Sequence, residues 1–493
     1  MRYLLTLALI NVSFLHAGES TIPNGMRTTD LKIGETQSLA LTEKRKVSIK
    51  LVALKETRDE LREAVRRAEV NVLIDGKAVT LVSANYRLPT RVGDLLVDCP
   101  VTAGYPRNAT KGVAGENPWG LDADARIRVW PADQPLLEPG TFVYPAKQRW
   151  FASQTQMANE PVFVDGGENP LNKKIYYHYG LDIGGVEEHV DVVVATDGVV
   201  ISSGKAILPG YEKSPAKPRY DVVYLLDGRG WYYRYSHLHT IMPSIKPGAK
   251  VKIGQRIGIL GKEGGSGGWS HLHFDITGKQ PSGKWGIIDG YAFLWEAYRQ
   301  QYKPALIAHA RPHQLVTVGE KVTLEGSLSW SASGKIDAFD WTFSDGTKER
   351  GEKVERVYSK PGVYSEVLKI RDGAGRIDYD FAVVHVLAKD TKAKLPPSIH
   401  AAYFPTFDIK PGDPVTFKVR TFRTTDGKET WDFGDGSPKV VVQSDGNVVP
   451  LAKDGYALTV HRFERAGHYV VQVQRTDSLG QTATAHLQVR VGE

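Results

Sequence analysis

His178-Tyr-Gly-Leu-Asp182-Ile-Gly-Gly185, Tyr235-Ser-His237-Leu238 and Ser270-His271-Leu-His273-Phe274 are the stretches on which the reading of this chain turns. Each is short, apolar between its polar residues and close to glycines, which suits a β-strand better than a helix. Side chains alternate along a strand, so His271 and His273 share one face. With 14 histidines in 493 residues, chance supplies about 0.4 His-x-His pairs. Two occur, His237/His239 and His271/His273. One such pair says little; the ordered set of His178, Asp182, His237, His271 and His273 says much more. A hydrolytic zinc site needs three nitrogen or oxygen ligands and an open fourth position. His178, Asp182 and His273 can supply two imidazoles and a carboxylate. The other histidine of the strand pair then meets a water or a scissile carbonyl. Zinc brings the pKa of its water toward 7, where a nearby imidazole can take or relay the proton.

The surroundings set limits. A chain of 493 residues has room for about three to four domains at roughly 150 residues each. Hydrophobic residues at 41% and charged residues at 24% exclude a disordered chain. Glycine (49) and proline (27) are abundant and aromatics make up 10%, which points to turns and aromatic-rich strands. The net charge of +7 is spread along the sequence. It is no nucleic-acid footprint, and it suits contact with an anionic envelope polymer. Cys99 is the single cysteine, so an intramolecular disulfide and a CxxC site are both excluded, and Cys99 is expected to pack as a small apolar side chain.

At the start, Met1-Arg2 followed by a mostly apolar run and Ala17-Gly18 reads as a secretory signal peptide. No later stretch approaches a membrane span. Alternating runs such as Lys46-Val-Ser-Ile-Lys-Leu-Val-Ala53 and Glu69-Val-Asn-Val-Leu-Ile74 predict strands in a small β-rich domain, while the highly charged residues 56–68 predict a short helix. Tyr291-Ala-Phe-Leu-Trp-Glu-Ala-Tyr298 predicts a closing helix. His309-x-x-x-His313 has helical metal spacing, but Pro312 breaks it and a loop without metal is expected.

The segments His178–Gly185, Val194-Ala-Thr-Asp-Gly-Val-Val200, Tyr235–Leu238, Val251-Lys-Ile-Gly-Gln-Arg-Ile-Gly258 and Ser270–Phe274 together resemble the lysostaphin-like zinc endopeptidases, which cut peptidoglycan cross-links. The resemblance implies an antiparallel β-sheet of the duplicated hybrid motif type with a groove across it. It also implies a Zn2+ ion held by His178, Asp182 and His273, with His237 and His271 as catalytic histidines. Departures are the Pro- and Lys-rich residues 205–220, expected to alter one groove wall, and the extra histidines His189 and His239, expected at the groove rim or surface rather than as ligands. A tyrosine upstream of the first ligand often stabilises the oxyanion in that family; Tyr176 and Tyr177 both qualify.

Further on, Phe339-Asp-Trp-Thr-Phe-Ser-Asp-Gly346 with Tyr358-Ser-Lys-Pro-Gly-Val-Tyr364, and Thr430-Trp-Asp-Phe-Gly-Asp-Gly436 with His461-Arg-Phe-Glu-Arg-Ala-Gly-His-Tyr469, resemble the PKD domain, an immunoglobulin-like β-sandwich. Trp341 and Trp431 are expected to fill the two cores. Ser344 stands where a glycine is usual, and the acidic turns at Asp345 and Asp435 are candidate Ca2+ positions. The expected layout is therefore a mainly β chain: a signal peptide over 1–17, an N-terminal β-rich domain over 27–135, a connector over 136–169, the peptidase over 170–302, and PKD-like domains over 308–388 and 396–493. The expected activity is a secreted or periplasmic zinc endopeptidase acting on peptidoglycan, with no nucleic-acid partner and envelope polymer or protein bound through the PKD-like domains. The alternatives are a noncatalytic wall-binding or hydrolase-activating protein and a zinc peptidase acting on extracellular proteins.

Overall fold

In the computed structural model, residues 25–42, 44–108, 117–158, 177–444 and 455–492 are described. The expected signal peptide and Tyr176 lie outside them. Among the described residues, no helix is long and apolar enough to cross a membrane.

The central unit is an eight-stranded antiparallel sheet whose middle strand, His271–Lys279, is buried at every position from His271 to Ile276. One edge of that strand pairs along Tyr232–Ser236. The other edge is shared: Leu181–Gly184 pairs with its first half and Trp285–Ile288 with its second. A three-stranded sheet of Asp191–Val193, Arg256–Leu260 and Leu238–Ile241 packs alongside. The helix Tyr291–Tyr302 closes the unit, burying Tyr291, Phe293, Leu294, Trp295 and Tyr298 into the aromatic core.

Two four-stranded sheets make up the N-terminal region, with Val47, Ile49, Leu51, Val70, Val72, Val97, Ile127 and Val129 between them. The charged residues 56–68 are not a helix. Lys46–Arg58 and Val65–Ile74 form an antiparallel hairpin, and the carboxylate of Asp59 organises its turn by accepting from the backbone N–H groups of Arg62 (2.6 Å) and Ala64 (3.1 Å). An Asx-type turn of this kind satisfies backbone donors without helical bonding. Cys99 is buried in this core, and burial pushes its thiol up to about 12. Arg128 ties the region to the peptidase sheet by clasping Asp98 and donating to the carbonyl of Asp289 (2.7 Å).

The two C-terminal sandwiches enclose Trp341 and Trp431, both fully buried. Ser344 has a structural role: its N–H and hydroxyl both bond the buried carboxylate of Glu366. The turn carboxylates are engaged by side chains, Asp345 by Arg356 and Thr347, and Asp435 by His461. A parallel bridge, Val363 to Ala483, joins the two sandwiches into one nine-stranded sheet.

The connector holds the units together. Gln148 donates to the carbonyl of Gly184 (2.6 Å), and the carbonyl of Met157 accepts from the N–H of Asp182 (3.1 Å). The described part of the connector thus runs beside the strand Leu181–Gly184. From the other side, Arg311 donates to the carbonyls of Ser153 and Thr155, His313 bonds the carbonyl of Gln154 (2.6 Å), and Ser153 bridges to Ala402. His309 packs edge-on against Tyr86 and Phe151. The His309/His313 pair therefore serves two separate packing contacts.

Burial holds His313 and His400 down to about 3, and His486 down to about 4. In the unfolded chain these groups titrate near 6.5. A group with a lowered folded pKa contributes its full stability above 6.5 and loses it as pH falls toward the folded value. His273, whose pKa is raised, is the one histidine of opposite sign among those with a resolved shift. The urea midpoint of unfolding is expected to be lower at pH 5 than at pH 7; an equal or higher midpoint at pH 5 would contradict these assignments.

Candidate active site

Strand register assembles the site. His273 lies opposite Asp182 on one neighbouring strand and opposite Ser236 on the other, and His271 lies opposite Gly184. Directly opposed residues on antiparallel strands project to the same face. Asp182, His271 and His273 therefore share one face; His237, the residue after Ser236, joins them because its left-handed backbone breaks the strand alternation and turns its ring toward His271.

The ring nitrogens His178 Nε2 and His273 Nδ1 are 2.8 Å apart, and each lies 3.1 Å from Asp182 Oδ1. The donor atoms of His178, Asp182 and His273 fall within 4.8 Å of one another, the one such cluster among the described residues. Two imidazole nitrogens and a carboxylate oxygen converging on one point present more lone pairs than nearby protons can satisfy, so the residues fit a divalent cation. Burial works to raise the carboxyl of Asp182, but the charges and hydrogen bonds of His178, His271 and His273 hold it well below the usual carboxylate range.

Behind His273 stands a residue that the sequence reading passed over. Asp275 Oδ2 lies 3.1 Å from His273 Nε2 and 3.4 Å from Arg234 Nη1. An Nε2–H donated to that carboxylate leaves Nδ1 unprotonated toward His178 and Asp182, an arrangement that orients metal-binding histidines. Burial opposes protonation of His273, yet the hydrogen bonds to Asp182 and Asp275 raise its pKa on balance. Asp275 was visible in principle as the third member of the alternating series His271, His273, Asp275.

The remaining two histidines stand together, their ring centroids 4.7 Å apart. His237 Nδ1 is 2.6 Å from the carbonyl of Glu263, and His271 Nδ1 is 3.1 Å from the carbonyl of Trp269. A carbonyl only accepts, so each Nδ1 carries the proton and each Nε2 keeps a lone pair. Burial lowers both groups, His271 to about 3, so both rings are neutral at neutral pH. His237 adopts a left-handed backbone (φ 67°), a costly conformation for a residue with a side chain. Asp221 holds it there: Oδ2 accepts the N–H of His237 (3.0 Å), and Arg219 braces the carboxylate. No local pattern in the sequence marks Asp221.

The residues expected at the rim divide. His239 is exposed, whereas His189 packs on Phe404 of the second sandwich (5.3 Å). Tyr220, from the segment 205–220, accepts the N–H of Gly264 (2.7 Å) and so contacts the loop before His271. Tyr177 is turned away from the cluster: its hydroxyl accepts the N–H of Val65 (2.7 Å), and its ring packs on Tyr105 and Trp119.

Replacing Asp275 by alanine is expected to weaken divalent-metal affinity by about 10- to 100-fold, measured by calorimetric titration of the folded protein. Unchanged affinity would remove Asp275 from the site.

Residues 176–283 match peptidase family M23, and residues 303–386 and 405–491 each match a PKD domain. The chain carries an M23 peptidase domain followed by two PKD domains, on a mainly antiparallel β architecture. Among curated proteins it is similar to a microbial collagenase of Vibrio alginolyticus (29% identity; 18% of this chain, 12% of that protein) and to collagenase ColA of Clostridium perfringens (32% identity; 15% and 6%). The matches thus span only a small fraction of those relatives' lengths. Similar solved structures include the catalytic domain of the prophage-encoded M23 protein EnpA from Enterococcus faecalis (20% identity; 23% of this chain, 76% of that chain; TM-score 0.18). Csd3 from Helicobacter pylori (15% identity; 56% and 82%; TM-score 0.21) is another.

Proposed function

We propose that this chain is a zinc endopeptidase that hydrolyses peptide bonds of peptidoglycan outside the cytoplasm. The observation that carries the reading is the convergence of His178, Asp182 and His273 on one point, with two neutral histidines beside it whose Nε2 atoms are free to take a proton. The match to peptidase family M23 supports the reaction class. The resemblance to lysostaphin-like enzymes supports peptidoglycan as substrate, and the leader-like first residues support export.

His178, Asp182 and His273 would hold the zinc. Bound there, the ion supplies Lewis acidity toward a water and the scissile carbonyl. The chain's own residues do the rest. His271 Nε2 lies 3.5 Å from Asp182 Oδ1, so the ring borders the ligand cluster and is placed to accept the proton of an attacking water. His237, just past the strand Tyr232–Ser236, presents a second Nε2 that can take a proton and, once protonated, donate it to steady the developing oxyanion. Asp221 and Arg219 keep His237 in its left-handed backbone, and Asp275 keeps His273 in the tautomer that leaves Nδ1 free. Burial removes competing water from the histidines and sharpens each of these interactions.

The test is hydrolysis of purified peptidoglycan by the full chain lacking residues 1–17, with mass analysis of the released fragments. Zinc-dependent release is expected, falling by at least about 10³-fold in His178→Ala and in His271→Ala. His178→Ala should also lose zinc, whereas His271→Ala should keep it. Cleavage of proteins with no action on peptidoglycan would redirect the substrate assignment. No cleavage by the zinc-loaded, folded chain would overturn the enzyme reading in favour of a wall-binding or hydrolase-activating protein.

A further inference from the structure

The residues that lead into His271 are Lys262-Glu-Gly-Gly-Ser-Gly-Gly-Trp-Ser270, nearly half of them glycine. Gly264, Gly267 and Gly268 have positive φ. A segment of this composition has little intrinsic order. Yet the carbonyl of Trp269 sets the tautomer of His271, and the carbonyl of Glu263 does the same for His237. The loop must be held from outside if those two carbonyls are to stay in place.

Much of the hold comes from the second PKD domain. The N–H of Ser270 donates to the hydroxyl of Tyr456 (2.9 Å), and Arg420 Nη1 donates to the carbonyl of Gly268 (2.9 Å). Lys262, which opens the loop, is paired with Glu187, and Lys418 of the same PKD domain approaches that carboxylate at 3.7 Å. Arg420 is fully buried and Lys418 nearly so. Buried cations fixed on backbone carbonyls and a carboxylate are costly to separate, which distinguishes this contact from a loose tether.

The Tyr456 hydroxyl accepts the N–H of Ser270 and bonds His400 Nδ1 (2.7 Å). His400 Nε2 in turn bonds Thr155 Oγ1 (2.7 Å). Thr155 belongs to the connector and fills the space above Gly184, the residue paired with His271: a Cβ at residue 184 would collide with the Thr155 and Ser153 hydroxyls. One chain of hydrogen bonds therefore runs from the connector through the second PKD domain to the residue preceding His271.

We propose that the second PKD domain is a working part of the peptidase site, with Tyr456 and His400 as positioning residues that fix the 262–270 loop and thereby the ring of His271. This rests on the metallopeptidase reading for its catalytic consequence and on the hydrogen-bond chain for its structural one. Both lie outside the cluster of His178, Asp182 and His273 and act through Ser270 and Trp269. Tethering a substrate-binding module would require no such chain.

The experiment compares the full chain with Tyr456→Phe and Thr155→Val, and with Tyr469→Phe as a control. Tyr469 lies in the same domain, and its hydroxyl donates to the carbonyl of Arg465, away from the 262–270 loop. Two readouts are taken: amide hydrogen exchange over residues 262–273, and kcat and KM separately for peptide release. In Tyr456→Phe, loop amides are expected to exchange at least about tenfold faster and kcat to fall by about tenfold or more, with KM within about twofold. Thr155→Val should shift both in the same direction by less, and it carries the test if Tyr456→Phe does not fold. Tyr469→Phe should match the unaltered chain. Unchanged loop exchange in both variants, or faster exchange with unchanged kcat, would overturn the proposal. If the unaltered chain cleaves nothing, the metallopeptidase reading fails, while the exchange measurement still decides whether Tyr456 holds the loop.

Discussion

The pairing of the strand His271–Lys279 with its two neighbours is the constraint on which the site depends. A slip of one residue against Leu181–Gly184 would turn Asp182 to the opposite face from His273. A slip against Tyr232–Ser236 would carry His237 away from His271. The strand is buried along nearly its whole length, and Leu272, Phe274 and Ile276 occupy the core face. The same alternation that sends these apolar side chains inward sends His271, His273 and Asp275 to the other face. Packing energy thus fixes the register, and the register fixes the chemistry.

Around this sheet the other units act as braces. The connector bonds the backbone of Asp182 and Gly184 and is itself gripped by Arg311 and His313. Through Arg149, which bonds Thr406 by backbone and side chain, and through the bridge of Ser153 to Ala402, it also reaches the second PKD domain. The two PKD domains share a sheet and an ion pair between Arg490 and Asp378 (2.5 Å). The chain is consequently a set of β units locked around one polar segment, and its buried histidines lie largely where those units meet.

Much of this was legible in the sequence, for physical reasons that differ from site to site. The His-x-His alternation gave the shared face of His271 and His273, since strand periodicity is a local property. Trp341 and Trp431 were readable as core because a large aromatic beside an Asp-Gly turn has few other places to go. In the hairpin over residues 46–74 the charge density of residues 56–68 reads as helical, whereas Asp59 closes a turn between two long strands. Asp221 and the left-handed backbone of His237 left no local trace, because they depend on a contact made only when distant strands pair. Tyr456 and His400 were hidden for the same reason, lying far along the chain from the loop that they hold.

The most direct test of the central claim is X-ray absorption at the zinc edge of the metal-loaded full chain, together with His273→Ala and His237→Ala. The account expects two imidazole nitrogens and a carboxylate oxygen at about 2.0–2.2 Å, lost in His273→Ala and retained in His237→Ala. A spectrum that changes in His237→Ala while His273→Ala leaves it intact would contradict the assignment of ligands, and with it the division of labour among the five residues.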